Sequence, residues 1–189
     1  MASSSSPLVH LLRAAILMVA LFGTGQAAAA APWILVDTAA STAQVMRGEK
    51  PVLTLEHIAV GRAGITPLHV KGDDRTPLGE FRVTRIDHRS RYRLFIGIDY
   101  PTPAHVKQAL EQGIIDQATH DKIVRDTKRL GTPPQNTVLG GHIGLHGLGA
   151  GDPKVHDQFN WTHGCVALTN HQIDQLSRWV RIGTRVVIK

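Results

Sequence analysis

The sequence predicts a mostly β fold with helical insertions, and three observations support that fold class. Residues 79–87 and 92–100 alternate apolar and polar side chains, which is the period of a half-buried strand. Residues 102–131 instead carry helix-start and helix-stop residues between two strand-rich regions. A last helical segment at 169–183 precedes a short apolar strand at the C-terminus. We therefore expect one β-rich domain into which helices are inserted.

Strand-like segments lie on both sides of the helical insertion. The segments "WILVDT" at 33–38 and "PVLTLEHIAVG" at 51–61 predict two strands, joined by a turn through 47–49. A loop rich in Gly, Pro and Asp follows at 64–79. Beyond the insertion, residues 137–148 return to strand-like character and include four glycines.

The helical insertion is predicted to be a pair of helices. Thr102 followed by proline favours a helix start, and Gly113 would end that helix. Asp116 can cap a second helix, which would end at Gly131 after basic residues in its last turn. Such a pair either covers a cleft or packs on the core, and the sequence leaves both alternatives open.

The C-terminal helix has the strongest local signals. Thr169 and Gln172 fit a capping box, Ile173 and Leu176 fall on one face, and Gly183 would end the helix. The segment "TRVVIK" then closes the chain as a strand.

Residues 1–31 resemble a secretory signal peptide. The apolar run at 14–22 is too short to cross a bilayer, and a row of alanines offers a cleavage site near Ala29–Ala31. The alternative is a buried N-terminal helix. We expect export to the periplasm or cell envelope, with 32–189 as a single domain that contains no membrane span.

The formal net charge of +6 suits an anionic partner. Nucleic acid is disfavoured as that partner, because the chain carries an export signal. Its basic residues are also spread out and lack the aromatic interleaving of a single-strand binder. The oligomeric state is not predictable from the sequence.

Cys165 is the only cysteine, so it cannot form an internal disulfide. It is either a buried apolar side chain or a reactive thiol, and a thiol reacts as the thiolate. An imidazole can accept its proton or stand beside the sulfur as imidazolium. Four histidines lie within 23 residues upstream of it: His142, His146, His156 and His163.

The segment around Cys165 has the pattern of a nucleophile site. In extended chain, His163 and Cys165 point to the same side. Gly164 between them leaves room for a substrate carbonyl, and the N–H groups of Gly164 and Cys165 can face a developing oxyanion. Upstream, His146 is followed by Gly147, whose carbonyl can orient the imidazole.

A metal site is an alternative, because His142 lies four residues before His146. Zinc needs three or four ligands, which His156, His163 or Cys165 could complete. Residues four apart on a strand are ~13 Å apart, too far for one ion. We therefore predict no metal and assign His142 to the lining of a cleft or to the core.

The segments that contain His146 and Cys165 resemble those of a known family. The pair "HG" at 146–147 followed by "THGCV" at 162–166 is similar to the active-site signature of the L,D-transpeptidase, or YkuD, family. The segment "TPLGEF" at 76–81 resembles the segment that precedes this signature, and "IDYPT" at 98–102 resembles an insertion found in some members. The resemblance extends over residues 33–189.

The resemblance implies sandwich-like or barrel-like sheets and a peptidoglycan substrate. Family members attack stem peptides before a terminal D-amino acid, form a thioester on cysteine and transfer the acyl group to an amine as a 3→3 cross-link. Carried over, Cys165 is the nucleophile and His146 is the base, oriented by the carbonyl of Gly147. His163 lies beside the thiolate, and the backbone of 163–165 forms the oxyanion site. No metal or organic cofactor is implied.

Two positions depart from the family pattern. Ala167 stands where the family commonly has an arginine, and Thr162 replaces a serine while keeping the hydroxyl. The loss of the arginine puts substrate recognition in question, and Arg75, Arg82 or another basic residue can substitute. The candidate substrate-binding residues are Thr162, Trp161, His142 and Arg75, although Trp161 can equally pack in the core.

Several functions remain open beside transpeptidation. Water can resolve the thioester, which gives an L,D-carboxypeptidase or endopeptidase. A zinc hydrolase and a non-catalytic wall-binding protein are the other classes. The acceptor amine can belong to a second stem, a lipoprotein lysine or a free D-amino acid.

Overall fold

The computed structural model describes Met1 and residues 30–189, and it is built around one mixed sheet. The predicted signal peptide falls almost wholly on residues outside this description. The strands are β1 (Trp33–Asp37), β2 (Thr42–Arg47), β3 (Lys50–Glu56), β4 (Ile65–Thr66), β5 (Thr76–Pro77), β6 (Gly79–Asp87), β7 (Phe95–Ile98), β8 (Gly144–His146), β9 (Val166–Ala167) and β10 (Arg185–Ile188). The helices are α1 (Pro103–Glu111), α2 (Gln117–Leu130), α3 (Pro153–Gln158) and α4 (Asn170–Ser177).

Eight of these strands form the main sheet, in the order β3-β2-β1-β10-β6-β7-β8-β9. The first three strands pair antiparallel, and the C-terminal strand β10 lies between β1 and β6, parallel to β1. The last pair, β8 and β9, is also parallel. Strands β4 and β5 form a separate two-stranded sheet. The prediction of a mostly β fold with helical insertions is confirmed.

The main core lies against one face of the large sheet. Alternate residues of the strands face it, as the side-chain period of two requires. Helix α4 covers this core with Ile173 and Leu176, both fully buried. Its capping box is formed as predicted, with the Thr169 hydroxyl and the Gln172 side chain each bonded to the other residue's backbone N–H.

The helical pair packs on a second, smaller core. Val106 and Ala109 of α1 meet Ile123 of α2, together with Leu68 and Leu139 from neighbouring loops. Among the described residues, none from α1 or α2 lines the cleft that contains Cys165. Of the two alternatives left open by the sequence, packing on the core is therefore the observed one.

The helix caps followed the sequence closely. The Asp116 carboxylate accepts a hydrogen bond from the N–H of Thr119 at 2.8 Å, and α2 ends at Gly131 in left-handed conformation. Thr102 precedes α1 as predicted, but its hydroxyl bonds to Nδ1 of His105 at 2.7 Å and not to the helix backbone. Helix α4 ends at Ser177, earlier than predicted, because the chain turns before Gly183.

Strand bounds were less accurate where glycine or loop residues interrupt the pattern. Strand β6 has the predicted bounds, whereas the predicted strand at 51–61 ends at Glu56. Strand β2 was not predicted as a separate strand, and the glycine-rich region 137–148 keeps only the three residues of β8. Helix α3 was missed because it has only six residues, although Asp152 caps it and proline begins it. In the described part of the chain, every helix is too short or too polar to cross a bilayer.

Candidate active site

Cys165 lies in a cleft of about 620 Å³ on the face of the sheet opposite the main core. Most of the candidate residues chosen from the sequence line this cleft. Those residues are His142, His146, Trp161, Thr162, His163 and Cys165. The cleft also has a cationic and aromatic side that the sequence did not predict, formed by Arg85, Arg89, Arg91, Tyr92 and Phe95.

The pairing of β8 and β9 places the thiol and the first histidine on the same face. His146 lies opposite Ala167 in the parallel register of these strands. Side chains alternate along a strand, so Cys165, two residues before Ala167, faces the same side as His146. Because β8 and β9 are neighbours in the sheet, two segments distant in sequence bring the imidazole and the thiol into one cleft.

The imidazole of His146 is held in a defined orientation. Its Nδ1 lies 2.7 Å from the carbonyl oxygen of Gly147. A carbonyl only accepts, so Nδ1 carries the hydrogen and Nε2 is left as an acceptor. The ring stacks on Tyr92 with 4.2 Å between centroids and meets Trp161 edge-on at 5.7 Å. Burial of the ring, which is 3% exposed, lowers the pKa of His146 and favours neutral imidazole.

Gly147 is packed closely by neighbouring atoms, which leave no space for a side chain. A Cβ at this position would lie 2.7 Å from the carbonyl oxygen of Tyr92 and 2.8 Å from Oδ1 of Asn170. Asn170, the first residue of α4, also bonds to both the N–H and the carbonyl of Gly149, at 2.9 and 2.8 Å. The amide of Asn170 therefore fixes the loop that presents His146. The sequence offered no signal for this role beyond the position of Asn170 at a helix start.

The surroundings of Cys165 favour the thiol over the thiolate. Burial raises the pKa of Cys165 to about 11, and Sγ donates a hydrogen bond to the carbonyl oxygen of His142 at 3.4 Å. Within the described residues, the thiol hydrogen goes to this carbonyl and not to an imidazole nitrogen. The sequence suggested a thiolate held by imidazole, whereas burial favours the thiol in the resting protein.

Two threonine hydroxyls hold the carbonyl of Cys165. The Thr162 hydroxyl donates to it at 2.6 Å, and the Thr76 hydroxyl approaches it at 3.4 Å. Thr162 also accepts the N–H of Gly164 at 3.2 Å. Thr162 is only 3% exposed and both functions of its hydroxyl are engaged, so its contacts orient the nucleophile loop and leave little to offer a substrate.

The N–H of Gly164 is bonded to Thr162 and is therefore not available to an oxyanion. Of the two donors predicted for the oxyanion site, only one is left. Within residues 30–189 the N–H of Cys165 has no hydrogen-bond partner and is the available donor of this pair. Gly164 itself adopts a φ of 125°, a conformation open to glycine. A Cβ there would lie 2.9 Å from the carbonyl oxygen of Arg75 and 3.0 Å from Cδ1 of Ile143.

His163 lies at the rim of the cleft and is paired with Asp74. Its Nδ1 lies 2.5 Å from Oδ1 of Asp74, whose other oxygen pairs with Arg62. The pKa of Asp74 is lowered, first by the His163 contact and then by Arg62. The His163 side chain is 76% exposed, and its contact with Asp74 holds the ring at the cleft entrance. The sequence placed Cys165 and His163 on one side but did not indicate Asp74 as the partner.

Arg75 and Arg82 do not occupy the cleft. Arg75 is exposed and lies outside the cleft lining, where its carbonyl bonds to Nδ1 of His69 at 2.8 Å. Arg82 bonds to the carbonyl of Gly183 at 3.2 Å. The prediction of Arg75 as a substrate-binding residue is therefore not supported, because Arg75 is not among the residues that line the cleft.

Ala167 is completely buried, which explains the absence of a longer side chain there. It pairs with His146 on one side and with Ala59 on the other. An arginine in this position would displace the imidazole or the facing backbone.

Among the described residues, no cluster of three or more His, Cys, Asp or Glu side chains has the arrangement of a metal site. His146 has its Nδ1 committed to Gly147, and His156 lies in α3, where Trp161 Nε1 donates to its Nδ1 at 3.3 Å. The zinc alternative therefore has no ligand cluster to support it.

Comparison with known proteins identifies the family. Residues 31–188 match the family model of YkuD, the L,D-transpeptidase catalytic domain. No curated protein sequence matches the chain.

Solved structures share the fold at low sequence identity. The helical cell shape determining protein Pgp2 from Campylobacter jejuni is similar with a TM-score of 0.55 and 19% identity, over 84% of this chain and 47% of that one. Bd1075 from Bdellovibrio bacteriovorus is similar with a TM-score of 0.53 and 19% identity, over 85% and 48%. This chain thus spans about half the length of these solved chains.

The match with the family model covers nearly all of the described residues and includes both the His146 and the Cys165 segments. The chain belongs to the YkuD family of L,D-transpeptidase catalytic domains.

Proposed function

We propose that this protein is an exported cysteine acyltransferase that acts on the stem peptides of peptidoglycan. The observation that carries the proposal is the pairing of β8 and β9, which directs His146 and Cys165 into one cleft with Nε2 of His146 left as an acceptor. Membership of the L,D-transpeptidase family supports the substrate class. The net positive charge is compatible with a carboxylate-bearing polymer.

The first half-reaction transfers the stem to sulfur. The Cys165 thiol turns its hydrogen from the His142 carbonyl toward Nε2 of His146, which takes the proton as sulfur attacks the carbonyl of the third stem residue. The S–C bond forms and the C–N bond to the terminal D-amino acid breaks. His146 returns the proton to the leaving amine, so the products are a thioester and a free D-amino acid.

The environment of the two groups suits this order of events. Burial keeps the thiol protonated and the imidazole neutral, so a proton can move between them without a change in the net charge of the cleft. Negative charge that develops on the carbonyl oxygen faces the N–H of Cys165, which has no other partner among residues 30–189. The bond from Nδ1 to Gly147 stabilises the imidazolium that forms in between.

The second half-reaction needs an acceptor. An amine from another stem attacks the thioester carbon, gives a proton through His146 to the departing sulfur and leaves a new amide bond. This regenerates the Cys165 thiol and the neutral imidazole. The acyl group has then moved from one nitrogen to another without any external oxidant or energy source.

Hydrolysis is the second candidate, and the charge of the cleft favours it over an ammonium-bearing acceptor. Three arginines line the cleft, Arg85, Arg89 and Arg91, against one carboxylate, Asp87. An amine that arrives protonated is repelled by this lining, whereas water is not. With water as acceptor, the product is a shortened stem with a free carboxylate.

Export is proposed from the sequence alone. The signal-peptide pattern at 1–31 directs the protein to the compartment that holds peptidoglycan. Analysis of the N-terminus of the protein recovered from the periplasm tests this point, with cleavage expected near Ala29–Ala31. Recovery of an intact N-terminus in the cytoplasm would contradict it.

The function is tested by incubating the purified protein with a disaccharide-tetrapeptide and separating the products by mass. Transfer gives dimers together with released D-Ala, and hydrolysis gives monomeric tripeptide with released D-Ala. Both require Cys165. Equal turnover by the Cys165→Ala variant would rule out the mechanism.

A further inference from the structure

A β-bulge in β6 turns Arg85 into the cleft. Val83 lies opposite Ile98 and Arg85 lies opposite Gly97, so Thr84 is one extra residue on the β6 side. Val83 is buried and faces the main core. In a regular strand Arg85, two residues on, would face the same way, and its charge would enter that core. Because of the extra residue, Arg85 points to the opposite face of the sheet from Val83, which is the face that carries Cys165.

Arg85 and Cys165 lie at the two ends of one cross-strand row. Arg85 pairs with Gly97, Gly97 pairs with Gly144, and the parallel register of β8 and β9 continues from Gly144 to Cys165. Three strand spacings separate the ends, a Cα-to-Cα span of ~14 Å. The two middle positions are both glycine, so no side chain of this row stands between the guanidinium and the thiol.

Phe95 forms the floor of the space between them. A Cβ on Gly97 would lie 3.0 Å from Cε1 of Phe95, and a Cβ on Gly144 would lie 2.9 Å from its Cζ, so the ring lies over both glycines. The Arg85 guanidinium lies above the same ring, 5.1 Å from its centroid. The glycines thus admit an aromatic surface that runs from Arg85 toward Cys165, and the stacking holds the guanidinium in place.

Arg85 and Arg91, two of the three arginines that line the cleft, differ in how their side chains are engaged. Arg91 donates to the Tyr92 hydroxyl at 2.7 Å and lies over that ring. Arg85 makes a single long contact with Asp87, at 3.9 Å, and within the described residues has no side-chain hydrogen bond. Its side chain is 57% exposed. Its five N–H donors are therefore available to a planar anion that lies along the aromatic floor.

We propose that Arg85 binds the free C-terminal carboxylate of the acyl donor. The inference rests on the proposed function, in which Cys165 attacks one residue before the C-terminus of the stem. An extended residue spans ~3.5 Å. Both side chains project from this row on the cleft side, so a donor whose attacked carbonyl lies at Cys165 can extend its last residue over Phe95 toward Arg85. Arg85 thus selects stems that end in a free carboxylate one residue past the bond that is cleaved.

The test measures binding separately from chemistry. In a Cys165→Ala background, which cannot form a thioester, the affinity for a stem tetrapeptide ending in D-Ala is compared with that for the same peptide as its C-terminal amide. We expect the acid to bind about 10- to 100-fold more tightly, the range of a charge-assisted bidentate contact. Adding Arg85→Gln should abolish this preference, and Arg85→Lys should restore part of it.

Arg89→Gln is the matched control, because it removes the same charge from the same cleft. It should leave most of the preference for the acid intact. Thermal unfolding of each variant checks that the fold is retained, which the exposure of Arg85 leads us to expect. Equal affinity of the Cys165→Ala protein for acid and amide, no binding of either, or a preference lost in Arg89→Gln rather than Arg85→Gln would overturn the inference.

The outcomes separate this inference from the proposed function. If the protein with Cys165 turns over tetrapeptide while acid and amide bind equally, the acyltransferase stands and the role of Arg85 fails. If acid is preferred through Arg85 while no Cys165-dependent turnover occurs, the carboxylate site stands and the acyltransferase fails.

Discussion

The hydroxyl of Thr162 lies 2.6 Å from the carbonyl oxygen of Cys165, three residues further along the chain. The same hydroxyl accepts the N–H of Gly164 at 3.2 Å. One buried side chain thereby closes the turn that presents the thiol, and it does so without contacting the sulfur. The position that the sequence assigned to substrate binding is better described as a support for the nucleophile.

Thr162→Val should destabilise the protein by about 1–3 kcal/mol, because it leaves the N–H of Gly164 without an acceptor and weakens the hold on the Cys165 carbonyl. Thr42→Val is the matched control, since the Thr42 hydroxyl is buried and has no partner among the described residues. That change should be neutral or stabilising. Urea unfolding midpoints measure both, and equal effects of the two substitutions would contradict the assigned role.

Gly164→Ala should cost at least about 3 kcal/mol of unfolding free energy. The new Cβ would meet the Arg75 carbonyl at 2.9 Å, and the φ of 125° is strained for alanine. Gly48→Ala provides the comparison, because Gly48 also has a positive φ but nothing within 4 Å of a Cβ. That substitution should cost about 1–2 kcal/mol. A Gly164 variant as stable as the Gly48 variant would show that the turn is not tightly packed.

Much of the fold was predictable from the sequence where the local pattern and the tertiary structure agree. Strand β6 alternates because Phe81 and Val83 face the core while Glu80 and Arg82 are exposed. Helix α2 carries both its capping aspartate and its terminal glycine. Strand β2 was missed because the turn at 47–49 was predicted to join the strand at 33–38 to the strand at 51–61, whereas it joins β2 to β3. Region 137–148 was overpredicted because Thr137–Gly140 form a turn and Gly141, His142 and Ile143 line the cleft, which leaves only Gly144–His146 in the sheet.

The site was predictable to the extent that its motifs are local. His146 and Gly147 are neighbours in sequence, so their hydrogen bond could be anticipated. The protonation of Cys165 could not, because it depends on burial by distant segments. Arg85 was also not predictable, since the bulge that turns it into the cleft is a property of strand pairing.

His146→Gln should lower kcat/KM by about 10²- to 10⁴-fold, the usual contribution of a general base. His163→Gln should cost much less, because the His163 ring faces Asp74 and lies at the rim. Turnover of a stem tetrapeptide under first-order conditions measures both variants. Comparable losses in the two would contradict the assignment of His146 as the base. Thermal unfolding of the His146 variant separates lost catalysis from lost packing against Tyr92.

The stability of the protein should fall as the pH drops from 7.5 to 5.5. Burial lowers the pKa of His105, His146 and His156 in the folded state below the ordinary 6.5. The unfolded chain therefore takes up protons around pH 6.5 that the folded chain resists, so the free energy of unfolding decreases below that pH. Urea titrations across this window measure the change. A constant or rising stability toward pH 5.5 would contradict the buried, neutral state of these rings.

The most direct test of the proposed chemistry is the mass of the protein itself after brief incubation with a disaccharide-tetrapeptide and an acid quench. We expect an adduct equal to the donor minus D-Ala, located on Cys165 by peptide mapping, lost on treatment with hydroxylamine and absent from Cys165→Ala. Release of D-Ala with no acylated Cys165 at any quench time, and undiminished in Cys165→Ala, would contradict a thioester mechanism.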